Sequence, residues 1–228
     1  MSRVLVVTPQ IEEFSAICAG FGALGHPYGP CRIGRLDGRT IPTLNVVLAL
    51  GGHGKAQFAA QTMHLLDSME PVDFSLCVGA AGGLNPCVDV GDLVVGTSTI
   101  EHDYRLRFVQ SDLPSHLAHD LAIQSLRPLV SHEHFSFAVH FGAIASGDED
   151  IVSSVRAAEI RDATGALCVA WEGGGGARAA ALAGVPFVEI RGITDRANST
   201  AHSDFHAAVG HVLPNASRLI TAWLNGKR

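Results

Sequence analysis

The sequence predicts an α/β fold, a three-layer α/β/α sandwich around a central twisted mixed sheet, with the whole chain, 1–228, forming one domain. Two patterns carry this expectation. Apolar, β-branched runs bounded by Gly, Pro or Asp recur along the chain, and alanine-rich stretches with helical periodicity lie between several of them. Such alternation places helices on both faces of a sheet. Composition agrees, because 47% hydrophobic against 17% charged side chains over 228 residues is rich in core.

The first strand, 3–7, holds the continuous apolar run Val4 to Val7 and leads into a helix over 11–23. Residues 31–50 carry Gly and polar side chains that suit an edge or an excursion, ending in a strand at 44–50. A helix at 55–69 precedes a strand at 74–79, whose unbroken run Phe74 to Val78 suits the centre of a sheet. The turn Gly91-Asp92 opens a strand at 93–97, and the rest of 93–109 again reads as edge. Between 110 and 135, Pro114, Pro128 and several histidines leave weak periodicity, which predicts a surface helix with loops. Strands at 137–145, 166–170 and 186–191 then alternate with helices at 151–164 and 177–184, and a helix over 204–225 closes the chain. No repeat, linker or low-complexity segment interrupts the order.

Charge and cysteine usage exclude several functions. A net charge of −6 with no lysine or arginine run lacks the footprint of a nucleic-acid binder. Five scattered cysteines without a CxxC pair read as reduced thiols of a cytoplasmic protein, not as a disulfide frame or a zinc site. Pro9, Glu12 and Glu13 interrupt the apolar opening at once, and no run reaches the roughly 20 residues of a membrane span. A soluble, cytoplasmic protein without membrane partner is expected. Twelve histidines form no HExxH or similar ligand spacing, so no metal is implied. His102, followed by Asp103, is the one histidine beside a strand end in company that points to a site.

Chemistry concentrates where strands end in fixed charges. The run Phe187 to Asp195 delivers Arg191 and Asp195 four residues apart, and Ala166 to Glu172 ends in a second acid a helix length earlier. Ligands of open α/β sheets bind beyond the carboxyl ends of strands, which brings Glu172, Arg191 and Asp195 to one edge. The plainer alternative is a structural Arg–Asp pair with an acid near a helix start. After the first strand, Glu12 and Glu13 either complement a helix dipole or supply an acid whose pKa burial would raise into general acid–base range, with Glu13 preferred. Gly79-Ala80-Ala81-Gly82-Gly83 ends a strand in small residues, leaving backbone N–H groups and open space for a ligand, without the Walker lysine or a GxGxxG pattern. Gly173 to Gly176 would weaken a helix by about 1 kcal/mol per residue, so close packing or ligand space accounts for them better than a linker.

In combination and order these segments resemble the nucleoside phosphorylase and nucleosidase superfamily, most closely the methylthioadenosine/S-adenosylhomocysteine nucleosidases. The similarity spans nearly the whole chain. It rests on the acid pair after the first strand, Gly51-Gly52-His53-Gly54-Lys55, Gly79 to Leu84, Val90 to Val95, His102-Asp103, Ser146-Gly147-Asp148, Trp171-Glu172 and Arg191 to Asp195. The resemblance implies that Glu13 acts on the attacking water, Arg191 sits near water and sugar, and Asp195 hydrogen-bonds or protonates purine N7. It implies substrate contacts at Glu172 for the ribose hydroxyls, Trp171, Ala80, Ala81, Gly82, Asp150, Ile151, His102 and Phe205. No cofactor is implied. A homodimer is, in which the loop around His102 and Asp103 closes the 5′ end of a neighbour's site.

The sequence departs from that pattern at Asp150, where an aromatic base-stacking residue is usual, at Trp171 for methionine, at Ala80 for serine, and at the four glycines. These departures point to a changed substrate preference, while the resemblance implies hydrolysis of the N-glycosidic bond of a purine nucleoside carrying a 5′ modification, of the methylthioadenosine or S-adenosylhomocysteine kind. Glu189 resembles futalosine hydrolases, a rival substrate class. A phosphate-dependent phosphorylase is disfavoured because the turn after the first strand offers two carboxylates and no arginine to a phosphate. A nucleoside-binding protein without turnover is the remaining alternative.

Overall fold

The structure is a computed structural model that describes residues 2–109 and 111–226. Ten strands and six helices build a mixed α/β fold around one sheet: β1 (Val4–Thr8), α1 (Ile11–Ala23), β2 (Gly29–Ile33), β3 (Leu36–Ile41), β4 (Val46–Leu50), α2 (Lys55–Ser68), β5 (Phe74–Gly83), β6 (Leu93–Glu101), β7 (Ser115–Leu117), α3 (Asp120–His132), β8 (Val139–Ser146), α4 (Ser154–Thr164), β9 (Cys168–Ala170), α5 (Gly173–Ala183), β10 (Phe187–Asp195) and α6 (Ala201–Gly226).

Pleating of β1 sorts its side chains between two layers of helices. Val4 and Val6 join Phe14, Ile17 and Phe21 of α1 and Leu213, Leu219 and Trp223 of α6, whereas Leu5 and Val7 join Phe58 and Leu65 of α2 and Ala177 and Ala180 of α5. Fully burying one such side chain contributes roughly 1.5–3 kcal/mol, so β1 is fixed from both sides. Beyond β1 the sheet runs β4, β3, β2, and the last two form the antiparallel edge hairpin expected of residues 31–50.

The other half departs from a plain sandwich. β5, β10, β6, β8 and β9 pair in turn and β9 returns to β5, so these five strands close into a barrel. Closure requires strands longer than the apolar runs. β5 continues to Gly83 and β10 to Asp195, paired in parallel, so Gly79–Gly83 is strand and not the open turn expected. One buried cluster takes Ala81, Val94, Ile144, Cys168 and Ile193 from the five barrel strands, as a small filled barrel demands.

Four glycines start α5 instead of preceding it, because neighbours come too close for side chains. A Cβ on Gly173 would overlap the Glu189 carboxylate, one on Gly175 the Lys55 carbonyl, and one on Gly176 would press on Phe58 and Phe187. Close packing is thus the account of that run. Region 110–135 yields β7 and the surface helix α3, which buries Ala122 and Leu126. Among the described residues no helix is long and apolar enough to cross a membrane, and no group of three or more His, Cys, Asp or Glu could hold a metal ion.

Candidate active site

At the carboxyl ends of β1, β5, β9 and β10 lies a cleft of about 320 Å³. Among its lining residues are Glu13, Ala80, Ala81, Gly82, Asp150, Ile151, Trp171, Glu172, Asp195 and Phe205. These include all but two of the residues expected from sequence. Arg191 lies under the floor, 0% exposed. His102 is buried elsewhere, its ring packed where a Cβ of Gly147 would stand, with no hydrogen-bond partner among the described residues. It therefore does not line this chain's own cleft.

Glu13 reaches the floor from the first turn of α1, while Glu12 faces solvent. Its two carboxylate oxygens accept hydrogen bonds from the backbone N–H of Gln10 (2.8 Å) and of Ala80 (2.7 Å). The bond to Gln10 caps α1 while the same side chain lies in the cleft. Burial, reinforced by the neighbouring Glu172, pushes its pKa up from 4.5 to about 7 against the opposing effects of those N–H groups and Arg191. The Ala80 N–H, expected to be free for a ligand, is thereby occupied.

Glu172 stands at the N-terminus of α5 but makes no capping hydrogen bond. Its Oε2 accepts from Arg191 Nη2 (3.2 Å) and its Oε1 from the Gly54 N–H (3.3 Å), with His53 Nδ1 at 3.4 Å. Despite burial, these partners hold its carboxyl below the usual range. Arg191 also donates Nε to Glu189 (2.7 Å) and Nη1 to the Ala80 carbonyl (3.2 Å). The arginine pairs with glutamates and not with Asp195, which sets aside the structural Arg–Asp alternative.

Asp195 follows a register shift between Ile193 and Asp195 that re-aims the end of β10. Its Oδ1 accepts from the Ala197 N–H (2.8 Å) and its Oδ2 from the Thr194 hydroxyl (3.0 Å). Burial nonetheless raises its pKa, since those two hydrogen bonds only partly favour the anion. A carboxyl that keeps its proton more readily than usual is suited to donate it.

His53 escaped the sequence reading as a site residue. It was visible only as a member of Gly51-Gly52-His53-Gly54-Lys55, and no local signal shows that its ring stacks on Trp171, with centroids 4.1 Å apart. The hydrogen bond with Glu172 raises its pKa. His202 and His206, on the first turns of α6, also line the cleft, yet no lysine or arginine is among its lining residues.

The family profile described as Phosphorylase superfamily matches residues 4–225. A 5′-methylthioadenosine/S-adenosylhomocysteine nucleosidase of Geobacillus thermodenitrificans is 29% identical over 198 residues, 84% of this chain and 81% of that protein. The crystal structure of the Neisseria meningitidis nucleosidase of that name, in complex with methylthio-immucillin-A, superposes with a TM-score of 0.84 at 25% identity, covering 100% of both chains. Futalosine hydrolase of Helicobacter pylori shares the fold, with a TM-score of 0.85 at 20% identity over 98% of this chain and 97% of its own. With a matching profile over nearly its entire length, the chain belongs to the phosphorylase superfamily.

Proposed function

We propose that the protein is a nucleosidase that hydrolyses the N-glycosidic bond of a 5′-modified purine nucleoside, with methylthioadenosine and S-adenosylhomocysteine as the substrate class. The observation that carries this reading is the convergence of Glu13, Glu172 and Asp195 on one cleft with Arg191 beneath it. Glu172 accepts hydrogen bonds from the ribose hydroxyls. Asp195 gives a proton to purine N7 as the electron pair of the C1′–N9 bond passes into the base. The sugar develops positive charge, which the carboxylates of Glu13 and Glu172 stabilise. Glu13 then takes a proton from water as the water oxygen bonds to C1′, releasing free base and sugar.

Water is favoured over phosphate because the lining carries five acidic side chains, Glu13, Glu149, Asp150, Glu172 and Asp195, and the guanidiniums beside them are already engaged, Arg191 by Glu172 and Glu189 and Arg156 by Glu149. Phosphate would meet like charge at close range. In the wall beyond Glu172, Trp171 in place of methionine adds bulk and Asp150 in place of an aromatic residue adds charge.

The reading extends to the whole chain, 1–228, as one catalytic domain, arranged as helix layers about the sheet, and to a homodimer in the cytoplasm. Exposed Tyr104, Leu106 and Phe108, which follow His102 and Asp103, supply apolar surface for a partner. Incubation with methylthioadenosine, S-adenosylhomocysteine, futalosine, adenosine and inosine, followed by chromatography of free base, tests the reading. Phosphate-independent release from one of the first two supports it. Release only from futalosine would move the substrate class, and binding without release from any would mean a non-catalytic protein.

A further inference from the structure

Glu189 takes no part in the chemistry above, yet it is among the most enclosed charges, 1% exposed inside β10. Its Oε1 accepts from Arg191 Nε (2.7 Å) and its Oε2 from the hydroxyl of Thr99 on β6. From the facing helix α5 the backbone of Gly173 leaves room for the carboxylate, which any Cβ there would overlap. Three elements thus build a socket for one carboxylate amid apolar strands. Stability alone does not explain it, because exchanging a buried ion pair for apolar side chains is often neutral or stabilising.

The geometry links this socket to Glu13. Residues 189 and 191 share a face of β10, and the guanidinium spans from Glu189 at Nε to Glu172 at Nη2 and the Ala80 carbonyl at Nη1. The same Ala80 residue donates its N–H to Glu13. One guanidinium therefore sits among three carboxylates, with the thiol of Cys77 also accepting from Nη2 at 3.3 Å. The ionisable groups coupled to Glu13 are Glu172, Arg191, His53 of the cleft wall and the Cys77 thiol, and Glu189 acts in turn on Arg191 and on the thiols of Cys77 and Cys168.

We propose that Glu189 is a positioning residue that fixes Arg191 by its Nε edge and offsets the positive charge that Arg191 presents to Glu13. Without it, Arg191 would draw the Glu13 proton off at lower pH and leave a weaker base. This rests on the reading of Glu13 as the base.

Glu189→Gln preserves shape and an acceptor for Nε while removing the charge. The ¹³C NMR titration of the Glu13 carboxyl, and the acid limb of kcat/KM, should both move down by about 0.5–1 pH unit, less than the 1–3 units of a directly adjacent charge. Thr99→Val keeps the charge and loosens its hold, so kcat should fall about 3–10-fold with the limb in place. A folded Glu189→Gln protein with an unmoved or raised Glu13 titration overturns the proposal. If that variant does not fold, an unchanged kcat in Thr99→Val overturns it instead. Wild-type protein that releases base from no nucleoside would defeat the nucleosidase reading, while the NMR titration would still decide the role of Glu189.

Discussion

Arg191 and Glu172 form a buried ion pair, Nη2 to Oε2 at 3.2 Å, with side chains only 1% and 4% exposed. The pair leaves Asp195, four residues beyond Arg191, without a cation partner among the described residues and governed by burial. Two acids of one cleft thus acquire opposite tendencies, Glu172 held as an anion and Asp195 inclined to keep a proton. That division is what an anchor for hydroxyls and a proton donor require.

Asp195→Asn should therefore lose roughly 10²–10⁴ in kcat, the range of a general acid. The amide can hydrogen-bond a purine nitrogen but has no acid proton to give. Steady-state kinetics beside a thermal melt checks this, and near-normal turnover in a folded variant would remove the assigned role.

Activity should rise with pH on the acid side as Glu13 becomes a carboxylate, with a midpoint near its pKa of about 7 in the free protein. A profile of kcat/KM from pH 4 to 10 reads this limb. Glu13→Gln should abolish the acid limb along with most of the rate, while Glu12→Gln should change neither, since Glu12 lies outside the cleft.

Stability carries the same signature. Folded Glu13 holds its proton to about pH 7, against 4.5 as its ordinary value, so the folded state binds more protons than the unfolded chain between those values. Stability from this group is complete below pH 4.5 and falls as pH rises toward 7. The shift corresponds to about 3 kcal/mol. Denaturant titrations at pH 5 and pH 8 should show this loss in the wild type and a much smaller one in Glu13→Gln.

Gly173→Ala should destabilise the protein by about 1–3 kcal/mol, as overpacking does. The added methyl displaces a Glu189 carboxylate tied to Arg191 and Thr99, so turnover should drop as well. By contrast, Gly210→Ala inside α6, where a Cβ meets nothing within 4 Å, should stabilise the protein by about 1 kcal/mol and leave turnover unchanged. Melting temperature and kcat on the two variants separate local crowding from a general effect of alanine.

Much of this was legible in the chain. The run Val4 to Val7 marked a central strand because both its faces are buried, and Glu172, Arg191 and Asp195 stood out because charge at the end of an apolar run is rare without a purpose. Barrel closure was not legible. β5 and β10 meet from more than a hundred residues apart, and the small residues that permit their extended pairing also look like turn formers. Nor could local pattern reveal that Gly173 to Gly176 are helical, since helix propensity is overridden here by the approach of Glu189, Lys55 and Phe58. The burial of His102 and the stacking of His53 on Trp171 arise only when distant loops meet.

The most direct test of the central claim is turnover of methylthioadenosine in ¹⁸O-labelled water, with and without phosphate, followed by mass spectrometry of the sugar. Water activated by Glu13 would leave the label on the C1′ hydroxyl at a rate independent of phosphate. Formation of an unlabelled sugar 1-phosphate only when phosphate is present would contradict the hydrolytic mechanism.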